Sequence, residues 1–292
     1  MTRPLRIEYP GALYHITSRG NQGKEIYLDD EDRVLFLETL AKTIRKNHWR
    51  CLAYCLMTNH YHILIETIHG NLSDGMRDLN GIYSQLYNVR HGVTGHILQG
   101  RFAAFLIERE TYLFEVARYI VLNPVRAGMV KFPQEYEWSS YRATIGSAMR
   151  PVFLDVNNLL KNFGKDYANA HRTYQEFVFD GIGGVSPLKE AGRGRVLGSP
   201  QFISETWNRV PDFFEEKPEN AKEEKLLGRS TLEDIFRDFI GLEERNKAID
   251  LAINGCRYSN AEVARHLGLS QTSISLIARN KKGKKQRSTS NR

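Results

Sequence analysis

The front of the chain alternates between two hydrophobic periods. Runs that change face at every residue predict strands at Ala12 to Arg19 (ALYHITSR), Trp49 to Met57, His60 to Thr67 and Phe102 to Glu108. Apolar residues three and four apart predict helices between them. One covers Asp29 to Asn47, with Val34, Leu37, Leu40 and Ile44 as its inner stripe and acidic residues in its first turn. A second covers Leu72 to Arg90, with Met76, Leu79, Tyr83 and Leu86 facing inward. A third covers Thr111 to Leu122 and is stopped by Asn123-Pro124. Thr58-Asn59 supplies the turn of a hairpin. The order β-α-β-β-α-β followed by a helix predicts an α+β fold with a ferredoxin-like antiparallel sheet. Its first and third strands are then central neighbours, and the last helix is free to cross the open face.

The pattern changes further on. Glu135 to Phe179 is mostly helical, Val178 to Gly184 (VFDGIGG) is a loop, and Gly192 to Gly198 is basic and glycine-rich. Pro211 to Glu224 is polar and charged, as a linker is. Leu226 to Gly255 returns to helix. In Tyr258 to Asn280 (YSNAEVARHLGLSQTSISLIARN), Ser259 or Asn260 caps a helix carrying Val263, Ala264 and Leu267. Gly268 allows a turn, and Ser270 caps a helix carrying Ile274 and Ile277. This is a helix-turn-helix pattern. The tail Lys281 to Arg287 (KKGKKQR) is basic and expected to lack structure. Three regions follow: 1–150, the α+β domain; 151–225, a helical extension and linker; and 226–292, an all-α helix-turn-helix domain with a basic tail.

Composition adds constraints. The 292 residues are 41% hydrophobic and 26% charged, as in soluble globular proteins. No apolar run approaches the about 18 residues of a membrane span, and the N-terminus lacks a secretory apolar core. Three cysteines, Cys51, Cys55 and Cys256, point to a reducing cytoplasm. The formal net charge of +7 favours a polyanionic partner.

The chemistry centres on MTNHYHILIE, Met57 to Glu66. Strand side chains two apart share a face, so His60 and His62 stand side by side where two imidazoles can bind one metal ion, while Tyr61 points the other way. A Cys51/Cys55/His60/His62 zinc site is a weaker alternative, because cysteines four apart in one strand do not form a knuckle. In ARYIVLNPVRAG, Ala117 to Gly128, Tyr119 and Asn123 share a helix face. Taken alone, they are equally a core tyrosine and a helix-ending asparagine. His15 lies in the strand beside the histidine strand. It is placed to support the metal site, or it is simply a hydrogen-bonded sheet residue.

HYH beside a short turn, YIVLNPVRAG on a helix, the opening YHITSRGN and the segment LQGRF (Leu98 to Phe102) together resemble the single-tyrosine, IS200-like transposases of the HUH class. Within these the chain looks most like the transposases associated with repetitive extragenic palindromes (REP) of bacteria. The resemblance covers roughly residues 5 to 145. It implies that His60 and His62 bind the metal, that Asn123 completes its binding where many relatives have glutamine, and that Tyr119 on its helix is the nucleophile. It also implies a 5′-phosphotyrosine intermediate in single-stranded DNA and Mg²⁺ or Mn²⁺ as cofactor, with imidazole ligands tilting preference to Mn²⁺. The middle Tyr61 departs from the usual aliphatic residue. His15, Arg19, Asn21 and Arg101 are candidate DNA contacts, as are Gln271, Thr272, Ser273 and Ser275 on the second helix of the helix-turn-helix. The expected partners are single-stranded and hairpin DNA from palindromic repeats, and duplex DNA through the last domain. The alternative is a non-catalytic, sequence-specific DNA-binding regulator on a transposase-derived fold.

Overall fold

The computed structural model describes residues 6–164, 166–191, 195–208, 232–237, 241–255 and 258–284. Four strands form the predicted sheet: β1 (Ala12–Arg19), β2 (Trp49–Leu56), β3 (His60–Thr67) and β4 (Ala103–Ile107). Their order is β2-β3-β1-β4, each neighbour antiparallel, which is the ferredoxin-like arrangement. The central register sets Arg19 opposite His60 and Thr17 opposite His62. A fifth strand, β5 (Val196–Leu197), adds parallel to β4 and makes the sheet mixed. The sequence showed no strand there, because two residues are too few to display a period of two.

Helices α1 (Asp30–Asn47) and α2 (Leu72–His91) cover one face of the sheet. Asp29 caps α1 by accepting the Asp32 N–H. Tyr61, from the middle of HYH, points to this side. It packs 4.8 Å from the Phe36 ring and donates its hydroxyl to Asn80 at 2.6 Å. The inner stripes are shifted from those expected. In α1, Phe36, Leu40 and Ile44 are buried while Val34 is exposed. In α2, Tyr87 takes the buried place assigned to Leu86, which is exposed. An aromatic cluster of Tyr27, Phe36, Tyr61 and Tyr83 fills this layer and draws both helices round to present their rings.

The opposite face of the sheet carries α3 (Arg109–Val121), which packs against β2 and β3. After a break at Leu122, α4 (Asn123–Arg126) follows with Pro124 in its first turn. Short helices α5 (Tyr141–Thr144) and α6 (Val156–Leu160) lead to α7 (Tyr167–Asp180). α7 runs through the start of the expected 178–184 loop, and turns begin at Gly181. β5 and α8 (Pro200–Asn208) complete this part. Tyr174, Val178, Val196 and Leu197 are buried in the same hydrophobic cluster as the sheet, so the extension is packed into the first core.

A separate cluster gathers Phe236, Ile249, Ala252, Val263 and Ile274. It joins α9 (Leu232–Phe236), α10 (Leu242–Asp250) with a π-helical turn to Gly255, α11 (Asn260–Leu267) and α12 (Gln271–Lys284). Ser259 and Glu262 form a capping box at α11, and Gly268 ends it in the left-handed conformation at φ 65°. Ser270 accepts the Ser273 N–H at 3.1 Å at the start of α12. Within the expected unstructured tail, residues 281–284 are helical. Residues 285–287, the expected linker 211–224, Cys256 and residues 226–231 of the expected helix lie outside the described residues.

Candidate active site on the open face of the sheet

The site begins at the hairpin turn. Asn59 donates from Nδ2 to the Gly23 carbonyl at 2.9 Å, which fixes the orientation of its amide. Its Oδ1 therefore faces His60 Nδ1 at 2.7 Å and must accept from it. His60 is thus held as the Nδ1–H tautomer, with Nε2 left bearing a lone pair. Burial, then the Arg19 charge, lowers its pKa and keeps it neutral. Sequence reasoning placed Asn59 only in the turn.

His62 is buried, and its Nδ1 lies 2.9 Å from His15 Nε2, the two rings stacked at 5.0 Å. His62 Nε2 has no hydrogen-bond partner in the structure, an orphaned polar atom of the kind that calls for a ligand. The His60 and His62 rings are 5.0 Å apart, edge to face. Burial lowers the His62 pKa well below its ordinary value, with help from His15 and His60. Burial alone brings His15 to about 3. Neutral imidazole is the metal-binding form.

His15, expected as a DNA contact, is placed otherwise by the structure. It is fully buried, packed between His62, Phe105 at 5.8 Å and Tyr119 at 6.0 Å, so its ring does not reach the surface. Its Nε2 faces His62 Nδ1 and not the solvent. A hydrogen-bonded neighbour on an adjacent strand leaves no local sequence signal.

Tyr119 projects from α3 onto this face, its ring 5.9 Å from His62. Asn123 is buried one turn later and donates from Nδ2 to the Tyr119 carbonyl at 2.8 Å, which leaves Oδ1 as its donor atom for a cation. Arg126, still within the YIVLNPVRAG stretch but not singled out from sequence, lies over the Tyr119 ring at 5.3 Å. It also donates to the Val185 carbonyl at 3.3 Å.

Cys51 and Cys55 are buried thiols whose pKa burial raises, and the zinc alternative fails on register. A bulge between Cys51 and Ala53 sets Cys51 opposite Ile65 and Cys55 opposite His62, on opposite faces. Among the described residues no group of three or more His, Cys, Asp or Glu side chains is placed to hold a metal ion. A metal here must use two histidines and a different third donor. The two free Nε2 atoms and the Asn123 amide oxygen suit a divalent ion of intermediate softness.

Arg19, Asn21 and Arg101 are exposed around the His60 end of the sheet. Backbone bonds tie this rim together: Gly20 N–H to Asn59 O at 2.8 Å, Asn21 N–H to Ile97 O at 2.7 Å and Gln99 N–H to Arg19 O at 2.8 Å. A Cβ on Gly20 would stand 1.9 Å from the Lys24 carbonyl oxygen, so the rim requires glycine there. Gly20→Ala is expected to cost about 1 to 3 kcal/mol and to lower the melting temperature by several degrees in a thermal scan. An unchanged melting temperature would contradict this close approach. On α12, Gln271 and Thr272 are exposed, Ser275 is half-buried and the Ser273 hydroxyl is bonded to Ser270 at 2.8 Å.

Residues 9–123 match the family model described as Transposase IS200 like. The front of this chain is similar to an IS200-like transposase domain. The match contains His15, His60, His62 and Tyr119 and ends on Asn123. Among solved structures, a REP-associated tyrosine transposase bound to a REP hairpin is 18% identical at a TM-score of 0.44, over 52% of this chain and 90% of that one. A proposed transposase from Deinococcus radiodurans R1 is 16% identical at 0.30, over 41% of this chain and 95% of that one. No curated protein matches the chain. No helix among the described residues of the chain is long and apolar enough to cross a membrane.

Proposed function

We propose that the transposase domain cuts and rejoins single-stranded DNA through Tyr119. The observation that carries this reading is the meeting of Tyr119 with the His60/His62 pair on one open sheet face. The Tyr119 hydroxyl loses its proton and its oxygen attacks the phosphorus. The bond from phosphorus to the 3′-oxygen breaks, and that oxygen takes up a proton. The products are a 5′-phosphotyrosine and a free 3′-hydroxyl. One phosphodiester is exchanged for another, so a second strand's 3′-hydroxyl reverses the step without ATP.

His60, His62 and Asn123 would hold Mg²⁺ or Mn²⁺, which supplies charge neutralisation at a phosphate oxygen. In the metal-binding form, His62 carries its proton on Nδ1 and donates it to His15. Arg126 adds a fixed positive charge beside the nucleophile's ring. The motif resemblance to REP-associated enzymes makes hairpins of palindromic repeats the proposed substrate, and the +7 charge suits it. Incubation with an end-labelled single strand and Mn²⁺ tests the reading. A covalent adduct whose peptide maps to ARYIVLNPVR is expected, and an adduct on another residue would refute it.

α11 and α12 are proposed to bind duplex DNA, with Gln271 and Thr272 at base edges. Removing residues after 225 is expected to spare cleavage of a short single strand while weakening binding of a duplex or hairpin in a mobility-shift titration. Equal duplex binding by the truncated chain would exclude this role.

A further inference from the structure

The basic, glycine-rich stretch Gly192 to Gly198 lies beyond the transposase match and has no part in the reading above. Its Arg195 is exposed and holds φ at 61°, a left-handed conformation unfavourable for a side-chain-bearing residue. Its guanidinium lies 5.6 Å from the Phe105 ring centroid. The backbone beside it is anchored firmly. Val196 and Leu197 pair with Leu106 and Ile107, and Glu108 accepts from the Ser199 N–H at 2.7 Å and its hydroxyl at 2.8 Å.

Phe105 connects this arginine to the active site. The rings make a chain of neighbours from Phe105 to His15 at 5.8 Å and from His15 to Tyr119 at 6.0 Å, with Arg126 beyond at 5.3 Å. Arg195 stands at one end and Arg126 at the other. Arg90, Arg109, Arg118 and Arg142 of this unit are paired with carboxylates, while Arg126 is held by the Tyr119 ring and the Val185 carbonyl. Arg195 has no carboxylate partner among the described residues. A cation held in strained backbone, unpaired and beside the nucleophile's ring row, fits an anion that is brought by the substrate.

We infer that Arg195 binds a backbone phosphate of the single strand close to the nucleotide cut at Tyr119, so that the extension beyond the transposase domain completes the strand-binding surface. The inference rests on the Tyr119 reading for where the strand lies. Its test measures binding and not cleavage. Full-length protein is titrated against a fluorescent single strand of about ten nucleotides over a range of salt, and anisotropy is read. Arg195→Asn suits the test because asparagine tolerates the left-handed backbone. It is expected to bind roughly fivefold more weakly, with a log–log salt slope shallower by about 0.7, one phosphate's share for a single strand. Arg195→Lys keeps the charge and is expected to restore the slope. Neutral methylphosphonate, substituted one position at a time, should weaken the wild type at a position next to the cut and leave Arg195→Asn unaffected there. Unchanged affinity and slope in Arg195→Asn would overturn the inference and leave Arg195 as packing on Phe105. So would a loss that Arg195→Lys does not restore. Absence of a covalent adduct in the wild type is a separate outcome that sinks the Tyr119 reading, whatever the salt slopes show.

Discussion

Tyr119→Phe is expected to form no covalent DNA adduct at all. The substitution removes one oxygen and keeps the ring that packs against His15 and His62 and under Arg126. Its structural cost is at most about one hydrogen bond, roughly 1 kcal/mol. Other tyrosines are badly placed to replace it. Tyr61 is buried on the opposite face with its hydroxyl given to Asn80. Tyr112, two turns earlier on α3, donates its hydroxyl to Glu190 at 2.8 Å. Binding of single-stranded DNA should persist, since the histidines and the basic rim remain. Denaturing gels with labelled DNA check the first expectation and anisotropy the second. A residual adduct in Tyr119→Phe would show that the nucleophile lies elsewhere.

The second large effect concerns the histidine pair, and the two residues give different experiments. His60→Ala is the cleaner. His60 is half-buried and bonded through Nδ1 to Asn59, so its loss costs little packing while deleting one free Nε2. Cleavage is expected to fall below about one-hundredth of wild type, because a weakened metal site forfeits several kcal/mol of charge stabilisation. Calorimetric titration with Mn²⁺ should show the loss of binding directly, with the melting temperature nearly unchanged. His62→Ala removes the second free Nε2 but also opens a cavity and strands His15 Nε2, at a cost of about 2 to 4 kcal/mol. Burial of the His15–His62 pair is what adds this structural cost at His62. Full cleavage by His60→Ala with unaltered Mn²⁺ binding would exclude the histidine metal site.

Much of the domain follows from the chain alone. A period of two in four runs, a period near 3.6 between them and a two-residue turn are enough to dictate β-α-β-β-α-β, because each pattern buries an apolar face in only one local geometry. The same alternation puts His60 and His62 on one face and Tyr61 on the other, and helical spacing puts Asn123 one turn from Tyr119. Local capping chemistry at Ser259, Gly268 and Ser270 was equally legible, since those bonds close within three or four residues. Tertiary structure decided what depends on distant segments. Val34 and Leu86 lost their inner places to Phe36 and Tyr87 because ring packing between two helices sets the final rotation of each. His15 became the partner of His62 only through the β1–β3 register. Asn59 set the His60 tautomer only because the Gly23 carbonyl was there to take its amide. Arg126 and Arg195 gained meaning only from the ring row between them. A hydrogen bond or stacked ring across tens of residues leaves no periodic trace in either segment, so its partners emerge only once the sheet is closed.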